Sequence, residues 1–257
     1  MKLFIVFLVF GWAMLVPMRA QTGSTICGSA SDPSPTPSAP IWAKMVLADN
    51  VVTCYYANGS SLPTGASTPT NWTQLGTPQT IGFVNNPLLV GIFLTSHNCG
   101  AISTGTIDNV SITPAATYEL ADVDVGKPTF MGSANLINGV WNISGSGYDI
   151  WNTSDQFNFQ PWLVWGDCTI ICRITSLSTG SCSWEKIGLM IRDSYNSGSA
   201  YAAFCATPGN GLSFQCRAAD TNNSDQQMLV APPSPGVTAS TTIGFDTLGL
   251  SAYVIHP

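Results

Sequence analysis

The chain has 257 residues, of which 45% are hydrophobic and 9% are charged, and its formal net charge at pH 7 is −6. This length suffices for one large β-sandwich domain but not for two complete ones. Eight basic residues within an acidic balance argue against a nucleic-acid partner, because binding to phosphates needs clustered positive charge.

Residues 1–20 are typical of a secretory signal peptide. Lys2 supplies a positive charge, LFIVFLVFGWAMLV forms an apolar core, and MRA precedes a cleavage site at Gln21. An uncleaved membrane anchor is the alternative, but the unbroken apolar run is shorter than the ~20 residues that span a bilayer. No later segment is long and apolar enough to span, so we predict a secreted mature chain without a membrane span. Residues 21–39 follow as a Pro/Ser-rich arm, which we predict to be disordered.

From Ile41 onward, short runs rich in Val, Ile, Thr and aromatic residues alternate with Gly, Pro, Asn and Ser. This alternation is typical of β-strands joined by turns. Clear examples are NVVTCYYA, PLLVGIFLTS, TIDNVSI, VWNISGS, CTIICRITSL and KIGLMIRDS. No stretch after the leader sustains a 3.6-residue apolar period. The sequence therefore predicts an all-β fold, with an irregular tail over residues 218–257.

Two segments resemble the two halves of one module in reversed order. Residues 122–217 contain GSGYDIWNTSDQFNF, KIGLMIRDS and TPGNGLSFQ, and they resemble the N-terminal half of a concanavalin A-like domain of secreted carbohydrate-associated proteins. Residues 40–112 resemble its C-terminal half. The resemblance implies one circularly permuted jelly-roll β-sandwich over 40–217, with a bridge at 113–121. A window cut across a tandem array is the alternative, although neither half alone would cover its hydrophobic sheet face.

An aromatic stretch between residues 141 and 165 is the best candidate for a binding site. Proteins bind sugars with aromatic rings against the C–H faces and with carboxylates or amides at the hydroxyls. The candidate carbohydrate-binding residues are Trp151, Trp162, Trp165, Asp149, Asp155 and Asn152. The competing interpretation is that alternate aromatic residues of a strand such as FNFQPWLVW fill the core, and Trp141, Trp151 and Phe157 match core positions of the module.

Recognisable catalytic patterns are missing from the sequence. A retaining glycosidase needs two carboxyl groups about 5–5.5 Å apart, and the chain lacks the E-x-D-x-x-E strand of laminarinase-type relatives of the fold. Its two glutamates, Glu119 and Glu185, have no acidic residue two positions away. We interpret His97, in TSHN, as a loop hydrogen-bonding residue rather than a ligand or base.

These observations predict a non-catalytic protein that binds a glycan or polysaccharide at a cell surface, wall or matrix. A structural or adhesive protein that self-associates through its β-sandwich is the alternative, and glycoside hydrolysis is a minor one. An exposed aromatic ring flanked by polar groups would favour glycan binding. A flat apolar patch or an unpaired edge strand would favour self-association.

Lys186 and Arg192 share one strand face in KIGLMIRDS, because six residues separate them. They are expected either to pair inside the protein with Asp149 or Asp155, or to face a ligand.

Calcium is the one cofactor that the sequence suggests. Asp108, Asp122 and Asp124 supply hard oxygen atoms of the kind that Ca²⁺ prefers, and the permuted order would bring their strands together. The alternative is that these aspartates cap turns.

The eight cysteines of an exported chain are consistent with an oxidising compartment. Cys205 and Cys216 flank TPGNG, and a hairpin there predicts a disulfide across the two strands. Two buried thiols are the alternative. Cys168 and Cys172 would lie on one face of a strand about 13 Å apart, which is too far for a bond between them.

Six N-x-S/T triplets are candidate N-glycosylation sites. Their asparagines are Asn58, Asn71, Asn109, Asn142, Asn152 and Asn222. The composition alone would produce about three such triplets, so the excess is modest.

Overall fold

The structure is a computed structural model that describes residues 40–59, 67–114, 117–178 and 182–230. The predicted signal peptide, the Pro/Ser-rich arm and most of the predicted tail lie outside these residues. The described residues form strands, turns and loops but no helix, which confirms the predicted all-β class. They accordingly contain no helix that could cross a membrane.

Seven antiparallel strands form the first sheet, which we call the seven-stranded sheet. In spatial order they are β3 (Thr73–Thr80), β2 (Val51–Asn58), β1 (Ile41–Ala48), β13 (Cys168–Leu177), β5 (Asn98–Thr113), β9 (Val140–Gly147) and β8 (Ser133–Ile137). Strand β13 comes from the second predicted half but lies between β1 and β5 of the first.

The second sheet, called the eight-stranded sheet, is also antiparallel. In spatial order it contains β17 (Asp225–Val230), β16 (Gly211–Arg217), β15 (Tyr201–Thr207), β14 (Lys186–Arg192), β4 (Leu88–Thr95), β12 (Phe157–Val164) and β6 (Thr117–Glu119), with β7 (Val123–Val125) also paired to β12. Strand β4 from the first half lies between β14 and β12 of the second. The predicted irregular tail is corrected in part, since it contributes β17 to this sheet.

The two sheets pack against each other through one hydrophobic core. In β13 every second side chain points inward, as expected for a strand with one buried face. These inward residues are Cys168, Ile170, Cys172 and Ile174. They share the core with residues of the eight-stranded sheet such as Ile92 and Leu189. Both predicted halves therefore contribute to both sheets and to one core.

The central strands of the eight-stranded sheet, β4, β12, β14, β15 and β16, are buried on both faces, unlike the strands of the seven-stranded sheet. We use the term outer face for the side of this sheet turned away from the seven-stranded sheet. A second hydrophobic cluster covers it and includes Phe93, Phe157 and Met190. A short hairpin of β10 (Ile150–Trp151) and β11 (Ser154–Asp155) contributes Ile150 to this cluster. The hairpin therefore lies over the outer face.

Strands β15 and β16 form the predicted hairpin, but their register separates the two cysteines. Cys205 lies opposite Ser213, and Cys216 lies opposite Ala202. Cys205 belongs to the cluster on the outer face and Cys216 to the core between the sheets. The two side chains therefore point to opposite faces of the sheet, and their thiols cannot meet. The predicted disulfide between Cys205 and Cys216 is therefore wrong.

Candidate functional site

Six side chains come together at one end of the eight-stranded sheet, and we call them the His97 cluster. They are His97, Tyr148, Asp149, Cys182, Trp184 and Lys186. His97 lies in the two-residue connection between β4 and β5, which belong to different sheets. Tyr148 and Asp149 directly follow β9, and Lys186 is the first residue of β14. Three distant segments of the chain thus supply the cluster.

Local hydrogen bonds fix the position of His97. The Ser96 hydroxyl donates to the carbonyl of Asn98 at 2.7 Å and accepts from the Asn98 backbone N–H at 3.2 Å. The Thr95 hydroxyl donates to the carbonyl of Gln156 at 2.9 Å, which ties the connection to the hairpin segment. His97 itself has a φ of 51°, in the left-handed region that few non-glycine residues adopt. The surrounding bonds therefore hold an uncommon backbone conformation in place.

Both ring nitrogens of His97 have partners. Nδ1 lies 3.1 Å from Cys182 Sγ, and Nε2 lies 3.0 Å from Asp149 Oδ2. Asp149 Oδ1 accepts hydrogen bonds from the Lys186 ammonium and, at 2.7 Å, from the backbone N–H of Ile150. Since an ionised carboxylate only accepts hydrogen bonds, the Nε2 atom carries the proton of that contact. Nδ1 then faces the thiol.

The electrostatics of the cluster favour an ionised Asp149. Burial by itself would raise the pKa of Asp149, but the charge of Lys186 and the hydrogen bond from His97 outweigh it and hold the pKa at about 2. The side chains of His97 and Asp149 are 9% and 15% exposed. The network is therefore largely shielded but still reaches solvent.

An aromatic ring stands at each end of this network. The Tyr148 ring stacks on the His97 ring, with centroids 6.5 Å apart and planes inclined by 17°. The Lys186 ammonium lies 5.9 Å from the centroid of the Trp184 ring. Both aromatic residues are half-buried, so part of each remains accessible. Tyr148 and Trp184 were not among the residues predicted to bind a carbohydrate. Tyr148 directly precedes Asp149, which was predicted, and Trp184 lies two positions before Lys186.

The predicted carbohydrate-binding tryptophans do not share a site. Trp162 is 8% exposed and packs edge-on against Trp141 in the core, with ring centroids 5.6 Å apart, so its predicted binding role is corrected to a packing role. Trp165 is 51% exposed but follows the far end of β12, roughly 25 Å along the strand from Phe157. Trp151 is half-buried on β10.

Asp155 is also unavailable to a ligand, because it is the centre of a second charged group that we call the Asp155 network. Arg192 Nη1 donates to Asp155 Oδ2 at 2.7 Å. Arg217 donates to Oδ2 at 2.7 Å and to Oδ1 at 2.6 Å. All three side chains are 0% exposed. Arg217 also donates to the carbonyl of Asn152, whose side chain is exposed on the hairpin.

The internal pairing predicted for the two basic residues of β14 is confirmed. Lys186 pairs with Asp149, and Arg192 pairs with Asp155. Arg192 does not face a ligand, because its side chain has no exposed surface.

The three aspartates proposed as calcium ligands do not converge. Asp108, on the seven-stranded sheet, accepts a hydrogen bond of 2.8 Å from Arg173 Nε. Asp122 and Asp124 lie instead near β12, where both accept from the Asn158 amide at 3.2 and 3.1 Å. In the part of the chain that the structure describes, no group of three or more His, Cys, Asp or Glu residues has an arrangement suited to a metal ion.

The asparagines of all six sequons are exposed. They lie at strand ends, in loops, or on solvent-facing strand positions, as with Asn109 on β5 and Asn142 on β9. Their glycosylation stays a prediction that this accessibility permits.

The His97 cluster therefore combines accessible aromatic surface, fixed charges and a thiol next to an imidazole. Such a set of groups can bind a polar ligand with an apolar face, and it also supports nucleophilic chemistry. No protein-family model, curated protein or solved structure matches the chain. The interpretation of the cluster rests on its own geometry.

Proposed function

We propose that the protein is a secreted glycan-binding module with a concanavalin A-like jelly-roll fold, and that the His97 cluster is its binding site. The observation that carries the proposal is the pair of half-buried rings, Tyr148 and Trp184, at the two ends of the Lys186–Asp149–His97 network. The protein binds its glycan without cleaving glycosidic bonds.

Sugar chemistry fits this arrangement. A pyranose presents an apolar C–H face that packs on an aromatic ring, and its hydroxyls both donate and accept hydrogen bonds. Asp149 offers two carboxylate oxygens. Hydrogen bonds from His97 Nε2 and from the backbone N–H of Ile150 already hold these oxygens in place. A preorganised site loses little side-chain freedom when a ligand binds.

Glycoside hydrolysis fits poorly. That reaction needs one carboxylic acid that donates a proton near neutral pH and a second carboxylate as base or nucleophile. Asp149 is the one carboxylate of the cluster, and Lys186 and His97 hold its pKa at about 2 against the opposing effect of burial. Asp149 therefore carries no proton to give at neutral pH.

A glycan-array screen of the purified mature protein, followed by calorimetric titration of any glycan that binds, tests the proposal. We expect Tyr148→Ala and Trp184→Ala to weaken binding at least tenfold while the melting temperature changes little. Trp165→Ala is the matched control, since this exposed ring lies at the other end of the sheet. A parent protein that binds no glycan at millimolar concentration, or a loss confined to Trp165→Ala, would contradict the proposal.

A second candidate function is self-association, which the edge of the seven-stranded sheet supports. Strand β8 is an edge strand among the described residues, and its Leu136 and Ile137 are 54% and 56% exposed. Met131, just before it, is 85% exposed. Apolar side chains on an edge strand favour pairing with a second chain. If this edge mediates self-association, Leu136→Lys should convert an oligomer to a monomer in light scattering after size-exclusion chromatography.

A further inference from the structure

We propose that Cys182 is a nucleophile that accepts an acyl group from a small ester or thioester, with His97 as its base and Asp149 as the residue that positions His97. This inference goes beyond glycan binding and does not depend on it. It assigns an activity to a group that the sequence motifs did not reveal.

The geometry has the three parts of an activated nucleophile. A thiol lies within reach of a base, and the base is oriented by a third group. Here the distances are 3.1 Å from Cys182 Sγ to His97 Nδ1 and 3.0 Å from His97 Nε2 to Asp149 Oδ2. The same arrangement of nucleophile, imidazole and orienting group recurs on unrelated folds, so it is recognised by geometry rather than by chain order.

A second thiol on the same sheet shows what is particular to Cys182. Cys205 also lies near Asp149 and Lys186, but its hydrogen-bond partner is Gln215 Oε1 at 3.6 Å rather than an imidazole. Burial above all raises the pKa of Cys205 to about 12, so that thiol stays protonated. Two cysteines in similar surroundings thus differ in whether a base contacts the sulfur.

The reaction balances without a metal or an oxidant. His97 Nδ1 takes the thiol proton, and the sulfur electron pair forms a bond to the acyl carbon. The bond from that carbon to the leaving oxygen or sulfur breaks, and His97 returns the proton to the leaving group. Water then attacks the thioester while His97 removes its proton, the carboxylic acid leaves, and the Cys182 thiol is restored.

Asp149 and Lys186 act through His97 and do not touch the acyl group. Asp149 holds the imidazole with Nε2 protonated, which leaves Nδ1 free of a proton and facing Cys182. Lys186 holds the other carboxylate oxygen. Cys182 is 5% exposed, so acyl donors of about the size of an acetyl ester suit the site better than long chains.

The first test uses 4-nitrophenyl acetate with the purified full chain. We expect a burst of nitrophenolate, an acetyl group on the peptide that contains Cys182, and slow turnover. Cys182→Ser and His97→Asn should each lower the acylation rate by at least about 100-fold. Cys205→Ser is the matched control and should leave the rate unchanged, because among the residues that the structure describes no imidazole contacts that thiol.

The second test follows the pH dependence of Cys182 alkylation by iodoacetamide, with peptide mapping to separate Cys182 from the partly exposed Cys99. The titratable groups around His97 are Cys182, Asp149, Tyr148 and, beyond Asp149, Lys186. Asp149→Asn should move the midpoint of alkylation upward by about one pH unit, because the carboxylate that faces the imidazole no longer stabilises the pair of thiolate and protonated imidazole. A purely structural role of Asp149 would leave the midpoint in place.

Three outcomes would overturn the proposal. They are an equal Cys182 reaction rate in the parent and in His97→Asn, acetylation on Cys205 or Cys99 instead, and recovery of Cys182 in a disulfide. His97→Gln replaces His97→Asn if circular dichroism shows that the latter is unfolded. The ester probe contains no sugar, so a failure of glycan binding would not affect this result.

Discussion

Two carboxylates on the two arms of one short hairpin behave differently. Asp149 directly precedes β10 and Asp155 is the last residue of β11, and each pairs with a basic residue of β14 on the outer face of the same sheet. Asp155 is fully buried between arginines. Asp149 is 15% exposed and also contacts the His97 imidazole, with 3.0 Å between Oδ2 and Nε2. The two charged pairs thus differ in their access to solvent and in whether an imidazole contacts the carboxylate.

The Asp155 network suits a structural role. Arginine stays charged and offers a fixed fork of donors, so it satisfies a carboxylate without chemistry. Arg217 donates to Asp155 and to backbone carbonyls of Asn152 and Ser199, which ties the hairpin to neighbouring loops. The His97 cluster has fewer such ties and a polarisable thiol instead.

The largest expected effect comes from Asp155→Asn. Removal of the charge leaves Arg192 and Arg217 buried without a counter-charge, which should lower the free energy of unfolding by about 3–5 kcal/mol. Urea denaturation followed by tryptophan fluorescence measures this change. A loss below about 1 kcal/mol would contradict the structural role assigned to Asp155.

The same contrast applies to tryptophans. Trp162→Ala should cost about 3–5 kcal/mol, because the ring fills the core beside Trp141. Trp165→Ala should change stability by no more than about 0.5 kcal/mol, because its ring is half exposed. Thermal melts of both variants measure the two losses of stability. Equal losses would mean that burial of the ring does not determine the effect.

A smaller effect should appear in acid. The folded-state pKa of Asp149 is about 2, below its ordinary value of 3.8. Its contribution to stability is therefore present above about pH 4 and is lost as the pH falls through 2, by about 2 kcal/mol in total. Urea denaturation between pH 5 and pH 2 measures it, and Asp149→Asn is the control that should lack this component. Equal pH slopes in the parent and the variant would contradict the assignment.

Local sequence patterns predicted much of the fold. Strand runs such as PLLVGIFLTS and KIGLMIRDS match β4 and β14, since alternation and turn residues are encoded in neighbouring positions. The six-residue spacing of Lys186 and Arg192 likewise predicted that both point to one face. Pairing with Asp149 and Asp155 was one of the two roles expected for them, and it is the one observed.

The predictions that were wrong or missing depended on strand register or on contacts between residues far apart in the sequence. The turn after β15 sets Thr207 opposite Gly211, so Cys205 faces Ser213 rather than Cys216, and a shift of this kind cannot be inferred from TPGNG alone. The contact between His97 and Cys182 joins residues 85 positions apart, and no spacing rule encodes it.

The exchange of strands between the halves determines when this protein can fold. Strand β13 separates β1 from β5, and β4 has its partners in β12 and β14. The first 112 residues therefore cannot complete either sheet while the ribosome is still making the rest of the chain. The seven-stranded sheet is complete only with β13 and the eight-stranded sheet only with β17, so apolar strands that are made early lack their partners through most of synthesis. Such delayed pairing makes protection from aggregation a requirement until the last strands are made.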